Sequence, residues 1–220
     1  MDSHVDRHDV VVGVSGASGA ALGVVVLERL TTLGVRVHLV VTAGGRRTLA
    51  HELGPEAHGR MLLKAYRYYD HKDVGAAIAS GSFPVSGMIV APCSMKTLAG
   101  IATGLSENLL TRAADVQLKE RRRLVLMTRE TPLHLGHLRN MVSVTEMGAI
   151  VMPPVPAFYH LPQSLQEAVD HLACRAIDLL GLHIPHQSRP WTGEVPFRSA
   201  EDGDRVGSEE RRMTASQEPA

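Results

Sequence analysis

Gly13, Gly16, Gly19 and Gly23 punctuate the stretch VVVGVSGASGAALGVVVLERL, residues 10–30, which otherwise reads as a strand followed by a helix. Such a turn lets the backbone bend tightly and offers the first N–H groups of the helix to an anion. The spacing of three, three and four fits neither G-x-G-x-x-G nor G-x-x-x-x-G-K-[ST], and no Lys follows. A second position narrows the choice. Dinucleotide sites usually place Asp or Glu at the end of the second strand for the ribose 2′-hydroxyl. Here the chain reads HLVVTAGG, with Thr42 and no acid. A mononucleotide with an open ribityl chain needs no such carboxylate, so FMN suits the pattern better than NAD.

Other residues could join that site. PCSMKT places Ser94 and Thr97 at a helix start with Met95 and Lys96 between them, and Ser18 adds a hydroxyl at the first turn. Each hydroxyl could equally be a plain helix cap. Arg112 and Lys119, seven apart in LLTRAADVQLKERRRL, share one helical face, and Asp115 can pair with Lys119. Arg121, Arg122 and Arg123 read as a cationic helix end favoured by the macrodipole. Taken alone, Glu52 in RTLAHEL reads as a solvated helix residue. His134 and His137 in HLGHL are three apart, but no third ligand is in view and no metal site is expected. Cys93 could be a nucleophile or a small buried residue at a strand end. Gly148 looks like a helix C-cap.

Five apolar runs must position these groups: Val10–Val14, Val35–Val41, Met88–Ala91, Leu124–Met127 and Ala149–Met152 read as buried parallel strands. Helical patterns lie between them at Ala20–Leu33, Thr97–Thr103, Glu107–Glu120 and His134–Met147. A last helix, Ser164–Leu180, opens on a capping box with Glu167. The alternation predicts an α/β fold, a Rossmann-like doubly wound parallel sheet in three layers and a single domain. Ligands of such sheets bind beyond the carboxyl ends of the strands, where SGASG, Thr42, PCSMKT, TRETP and PPVPAFYH would meet. Residues 54–81 are less regular, and such a long connection is often functional.

The chain has 220 residues, enough to bury about 70% of its unfolded surface. Its 23 basic and 23 acidic residues balance, so no global field argues for nucleic acid or an anionic membrane. The twelve His make the net charge sensitive to mild acid. The polar start and the lack of a long apolar run argue against a signal peptide or a membrane span. Two distant Cys form no C-x-x-C, and a cytoplasmic protein is expected. After Trp191 the chain turns polar, so residues 192–220 are expected to form a disordered tail and 1–191 the domain.

Several long blocks together resemble the UbiX-type flavin prenyltransferases: GVSGASGA, PCSMKTLAGIATG, LLTRAADVQLKERR, RETPLHLGHLRNM, GAIVMPPVPAFYHLPQSL and RPWTG. The resemblance runs from about Val10 to Trp191. It implies a Rossmann-like subunit in a homo-oligomer, a dodecamer, with sites where neighbours meet. It also implies transfer of a dimethylallyl group from dimethylallyl phosphate to N5 and C6 of reduced FMN, yielding prenylated FMN for a UbiD-type decarboxylase. By that match Gly16, Ala17, Ser18, Thr42, Ser94, Met95, Lys96, Thr97 and Arg129 contact FMN. Tyr159, Arg175 and Lys119 hold the donor phosphate, and Trp191 closes over the site. Ser18 and Glu52 handle a proton at N5, and Arg112 and Glu130 are further active-site polar groups. Thr42 replaces the family's Ser, Ala43 a frequent Lys and Arg123 a frequent Pro. No D-D-x-x-D segment is present, in keeping with a metal-free reaction on a monophosphate. The alternatives are a flavin-dependent decarboxylase of a cysteine-derived substrate and a non-catalytic FMN-binding subunit of a decarboxylase complex.

Overall fold

The computed structural model describes residues 8–193. It divides into a unit ending at Ser188 and a second unit, Arg189–Ala220, of which 189–193 are described. Apart from Thr192 and Gly193, the expected polar tail lies outside the described residues.

Six parallel strands run β1 (Asp9–Val14), β2 (Arg36–Val41), β3 (Arg67–Asp70), β4 (Gly87–Cys93), β5 (Arg123–Thr128) and β6 (Ile150–Val151), in the spatial order β3-β2-β1-β4-β5-β6. Val- and Ile-rich runs without polar alternation suit strands covered on both faces, and every residue of β1 and β4 is buried. β1 pairs with β2 in the register Val10↔Val37 and with β4 in the register Val10↔Gly87. The order therefore reverses between β1 and β4, the place where open sheets leave a crevice at their carboxyl ends.

Helices α1 (Ala20–Thr32), α2 (Ala43–Leu53), α3 (Ala57–Lys64), α4 (Met95–Ala102), α5 (Leu109–Lys119), α6 (Leu135–Glu146) and α7 (Leu165–Asp178) cover the sheet. One core lies between the sheet and α1 with α7, built on Val12, Leu27, Leu30 and Ile177. The other lies under α4 and α5, built on Met88, Leu98, Leu110 and Leu126. Truncating a fully buried leucine such as Leu27 in such a core costs about 2–5 kcal/mol. At Gly23, α1 crosses so close to β4 that a Cβ would lie 2.3 Å from the Ala91 carbonyl oxygen. That glycine serves packing and no ligand.

The expected fold class is the one observed, with one strand more than the sequence suggested. Within the stretch read as irregular lie α3 and β3. β3 has four residues at the sheet edge and buries only Tyr69, so it offers no apolar run to read. The fifth expected strand shrinks to Ile150–Val151. Under the sheet, His38 is buried with both ring nitrogens engaged, Nε2 with Asp9 at 2.8 Å and Nδ1 with the Tyr69 hydroxyl at 3.0 Å. Among the described residues no helix is long and apolar enough to cross a membrane.

Candidate active site

At the switch point Ser15 ties the two central strands together. Its hydroxyl donates to the Pro92 carbonyl at 2.8 Å and accepts from the Ser94 N–H at 2.7 Å. The next residue, Gly16, is exposed and lies against the start of α2. A Cβ on Gly16 would stand 2.9 Å from the Gly44 Cα, so only paired glycines allow this approach of two backbones.

Three helices begin around the resulting cavity, which has a volume of about 620 Å³ and is lined by Gly16, Thr42, Ser94, Lys96, Thr97 and Asn108 among others. Thr42 caps α2 by accepting from Gly45 N–H at 3.0 Å, and Ser94 caps α4 by accepting from Thr97 N–H at 3.3 Å. Asn108 caps α5 through Leu110 and Thr111 N–H at 3.0 and 3.2 Å. These caps satisfy some of the orphan donors of each helix, and the positive ends of three dipoles remain directed at one space. Ser94 and Thr97 are thus caps and cavity hydroxyls at once. Lys96 reaches the lip and pairs with Glu107 at 3.3 Å. Met95 turns into the second core, and Ala17 is likewise buried.

The start of α1 is different. Its N–H groups, expected to receive an anion, are already taken by a carboxylate of the chain. Glu52 accepts from Gly19 N–H at 3.0 Å and from Ala20 N–H at 2.8 Å. This corrects the expectation of an anion at that helix start, and Glu52, exposed as its local pattern suggested, is also anchored. Ser18, Arg47, His51 and Glu52 line a second, more open depression beside Gly16.

The remaining expected residues spread over two ends of the sheet. Arg129 and Glu130 follow β5 at the carboxyl rim and are exposed, and the Arg129 N–H donates to the Cys93 carbonyl at 3.0 Å. Arg112, in the first turn of α5, donates to the Ala79 carbonyl at 3.2 Å and pairs with Asp115 at 2.6 Å. Asp115 therefore belongs to Arg112, not to Lys119 as expected, since the i, i+3 partner is in reach first. Lys119 ends α5 and pairs with the adjacent Glu120. An eleven-residue helix is about 16 Å long. Lys119 therefore sits at the amino-terminal edge of the sheet, beside Gly81. Arg122 is no loose helix end, because it donates to the Gly81 and Phe83 carbonyls at 2.7 and 3.0 Å.

Arg175 is exposed on α7. That helix pairs Asp170 with Arg29 near the far end of α1 at 3.2 Å, and Leu180 just beyond it packs over Gly87. Both contacts lie toward the amino-terminal edge. Tyr159 is 56% exposed in a short 3-10 turn, Phe158–His160. Trp191 belongs to the second unit and is 53% exposed. One chain therefore gathers Gly16, Thr42, Ser94, Lys96 and Thr97, and leaves Lys119 and Arg175 away from them.

Two further candidates resolve into structure. His134 caps α6, its Nδ1 accepting from Gly136 N–H at 3.0 Å, and its ring lies 3.6 Å from that of His137. Cys93 is fully buried, which pushes its thiol up to about 12 and removes it as a nucleophile at neutral pH. Cavity residues that sequence reasoning missed include His71, Gly44 and Asn108. Only Asn108 left a signal, as an Asn immediately before a helical run.

The residues present fit a flavin mononucleotide. A backbone cradle that any Cβ would fill, three helix N-termini and neutral hydroxyl donors suit a phosphate monoester with a polyol chain. The model of the Flavoprotein family matches residues 2–171. The chain is 54% identical over 184 residues to a probable UbiX-like flavin prenyltransferase of Bacillus subtilis (strain 168), covering 84% of this chain and 89% of that protein. Among solved structures it is similar to AnUbiX (PadA1) in complex with FMN and dimethylallyl pyrophosphate, with a TM-score of 0.81 and 43% identity over 86% of this chain and all of that one. It is also similar to the dodecameric FMN-dependent UbiX-like decarboxylase from Escherichia coli O157:H7, with a TM-score of 0.79 and 44% identity over 84% of this chain and 100% of that one.

Proposed function

The chain belongs to the Flavoprotein family and, within it, to the UbiX-type flavin prenyltransferases, and from that premise we propose the reaction and the residue roles that follow. It is an enzyme that transfers a dimethylallyl group from an allylic phosphate ester to reduced FMN. Reduced FMN, when bound, supplies the nucleophilic N5 and C6. The observation that carries the reading is the meeting of Gly16, Thr42, Ser94 and Thr97 around one cavity at the switch point.

Thr42, Ser94, Lys96 and Thr97 bind the mononucleotide, with Gly16 as backbone floor and the Ala17 and Met95 backbones beside it. Ser18 stands next to Glu52, whose carboxylate is fixed by two N–H groups, and the pair holds and moves the proton at N5. Arg129 meets the flavin from β5, and Glu130 lies beside it on the rim. Arg112 keeps the first turn of α5 in place through Ala79 and Asp115.

The donor half takes its cations from neighbouring copies in a homo-oligomer, a dodecamer in this reading. Lys119, Arg175 and Tyr159 of adjacent chains hold the allylic phosphate. Breaking the C–O bond leaves charge on phosphate, where a preorganised cation contributes several kcal/mol. Arg grips phosphate bidentately and Lys as a point charge. Closure of the cleft keeps water from the allylic fragment. The catalytic domain spans 1–191, the product serves a UbiD-type decarboxylase, and the enzyme works in the cytoplasm.

Anaerobic mixing of the protein with reduced FMN and dimethylallyl phosphate or its diphosphate, followed by mass spectrometry, tests the reading. The flavin is expected to gain one five-carbon unit. A flavin of unchanged mass with both donors refutes it.

A further inference from the structure

His71 lines the cavity together with Thr42, Ser94, Lys96 and Thr97, and reaches it from the carboxyl end of β3, the strand that the sequence did not disclose. A backbone hydrogen bond anchors it there, and a carboxylate lies near its ring. Its carbonyl accepts from the N–H of Leu109, the first residue of α5, at 2.8 Å. Its ring Nδ1 is buried without a hydrogen bond and lies 3.3 Å from Asp70 Oδ1. Asp70 is itself held by the Lys72 N–H at 2.9 Å. That bond, with the nearby His71, Arg46 and Lys72 charges, keeps its carboxyl below the usual range. The side chain of His71 is 13% exposed. With Nδ1 turned to the carboxylate, Nε2 is the ring nitrogen left for a ligand in the cavity.

The field in that space favours an anion. The N-termini of α2, α4 and α5 all open onto it, whereas Glu52 closes the N-terminus of α1. The charged side chains lining the cavity besides His71 are Lys96 and Glu107, which pair with each other. The hydroxyls of Thr42, Ser94 and Thr97 are neutral donors, so among the residues lining this cavity His71 is the one basic side chain besides the Glu107-paired Lys96.

We infer that His71 binds the phosphate end of the mononucleotide, the ring lying between two anions with Nδ1 facing Asp70 and carrying a proton on each nitrogen in the complex, so that Nε2–H donates to a phosphate oxygen. This rests on the flavin reading above and extends it to the selection of FMN over unphosphorylated riboflavin. Dissociation constants of the full-length protein for oxidised FMN and for riboflavin, read from flavin fluorescence, test it. His71→Leu is expected to weaken FMN binding about tenfold and to leave riboflavin within about twofold, the scale of one lost charge-assisted hydrogen bond. His71→Gln, which keeps a donor at the same reach, is expected to restore most of the FMN affinity. Equal loss of both flavins, no loss of either, or a Gln variant no better than Leu overturns the inference. A wild-type protein that binds FMN no better than riboflavin also overturns it, leaving the flavin reading intact. Failure of the wild type to bind FMN at all overturns both.

Discussion

At the carboxyl rim, loops after β1, β2 and β4 bring Gly16, Thr42, Ser94 and Thr97 together within one chain, each fixed by a cap or a backbone contact. At the amino-terminal edge, Lys119 and Arg175 stand exposed on the ends of α5 and α7, and Lys119 pairs with the adjacent Glu120. The rim is a cavity lined by neutral donors, helix ends and the Glu107-paired Lys96. The edge carries two exposed cations far from that cavity. In the proposed reading each end of the chain makes half of a cleft, and assembly brings the halves together. This also separates two kinds of anion binding. On the proposed roles, the rim uses partial charges that cost little to desolvate, while the edge would supply full charges for a departing phosphate.

The largest effect that could break this division is at Lys119. Lys119→Ala is expected to lower turnover of the donor about a hundredfold or more while FMN affinity stays as in the wild type, because a cation aimed at developing charge acts on the transfer step. Loss of FMN binding in that variant, measured by fluorescence, would place Lys119 in the rim and remove the distinction. The converse change is Gly16→Ala. Its Cβ would meet the Gly44 backbone at 2.9 Å, so the α2 start must shift. The expected cost is about 1–3 kcal/mol in stability by thermal or urea unfolding, with weakened FMN binding. An alanine variant that binds FMN normally would show that the close approach is incidental.

Arg175→Ala sharpens the edge further, with an expected rise of about tenfold in the donor KM and unchanged FMN affinity. Equal loss of both would give Arg175 a structural role. Cys93 provides the smallest effect. Its thiol, pushed up to about 12 by burial, stays protonated and inaccessible across the working pH range. Iodoacetamide at mildly alkaline pH is expected to leave it unlabelled in the native protein and to label it after unfolding. Rapid labelling of the folded chain, read by mass spectrometry, would contradict the buried placement.

The sequence disclosed the fold because its central strands, DVVVGV and GMIVAPC, are short, fully buried runs without polar alternation, which suits parallel strands covered on both faces. It hid β3 because an edge strand of Arg67, Tyr68, Tyr69 and Asp70 buries one side chain and carries no periodic run. With β3 went His71. The roles of Thr42 and Ser94 were legible as helix starts, since hydroxyl residues before a helical run carry that meaning wherever they occur. The anchoring of Glu52 was invisible in the local pattern because its partners, Gly19 and Ala20, lie more than thirty residues away. The same limit explains Asp115, where spacing allowed two cations and only side-chain geometry chose Arg112. Lys119 and Arg175 were drawn into the site by resemblance. Helix length and the anchoring of α7 then placed them at the opposite edge.

Shared construction of the cleft has one direct test. Two inactive chains are co-expressed with different affinity tags, one carrying Ser18→Ala with Glu52→Gln and the other Lys119→Ala, and mixed oligomers are isolated through both tags. Recovery of a clear fraction of wild-type transfer to reduced FMN, well above that of either parent oligomer, is the expected result, because some clefts then pair an intact rim with an intact edge. Mixed oligomers as inactive as their parents would mean that each chain builds its whole site alone.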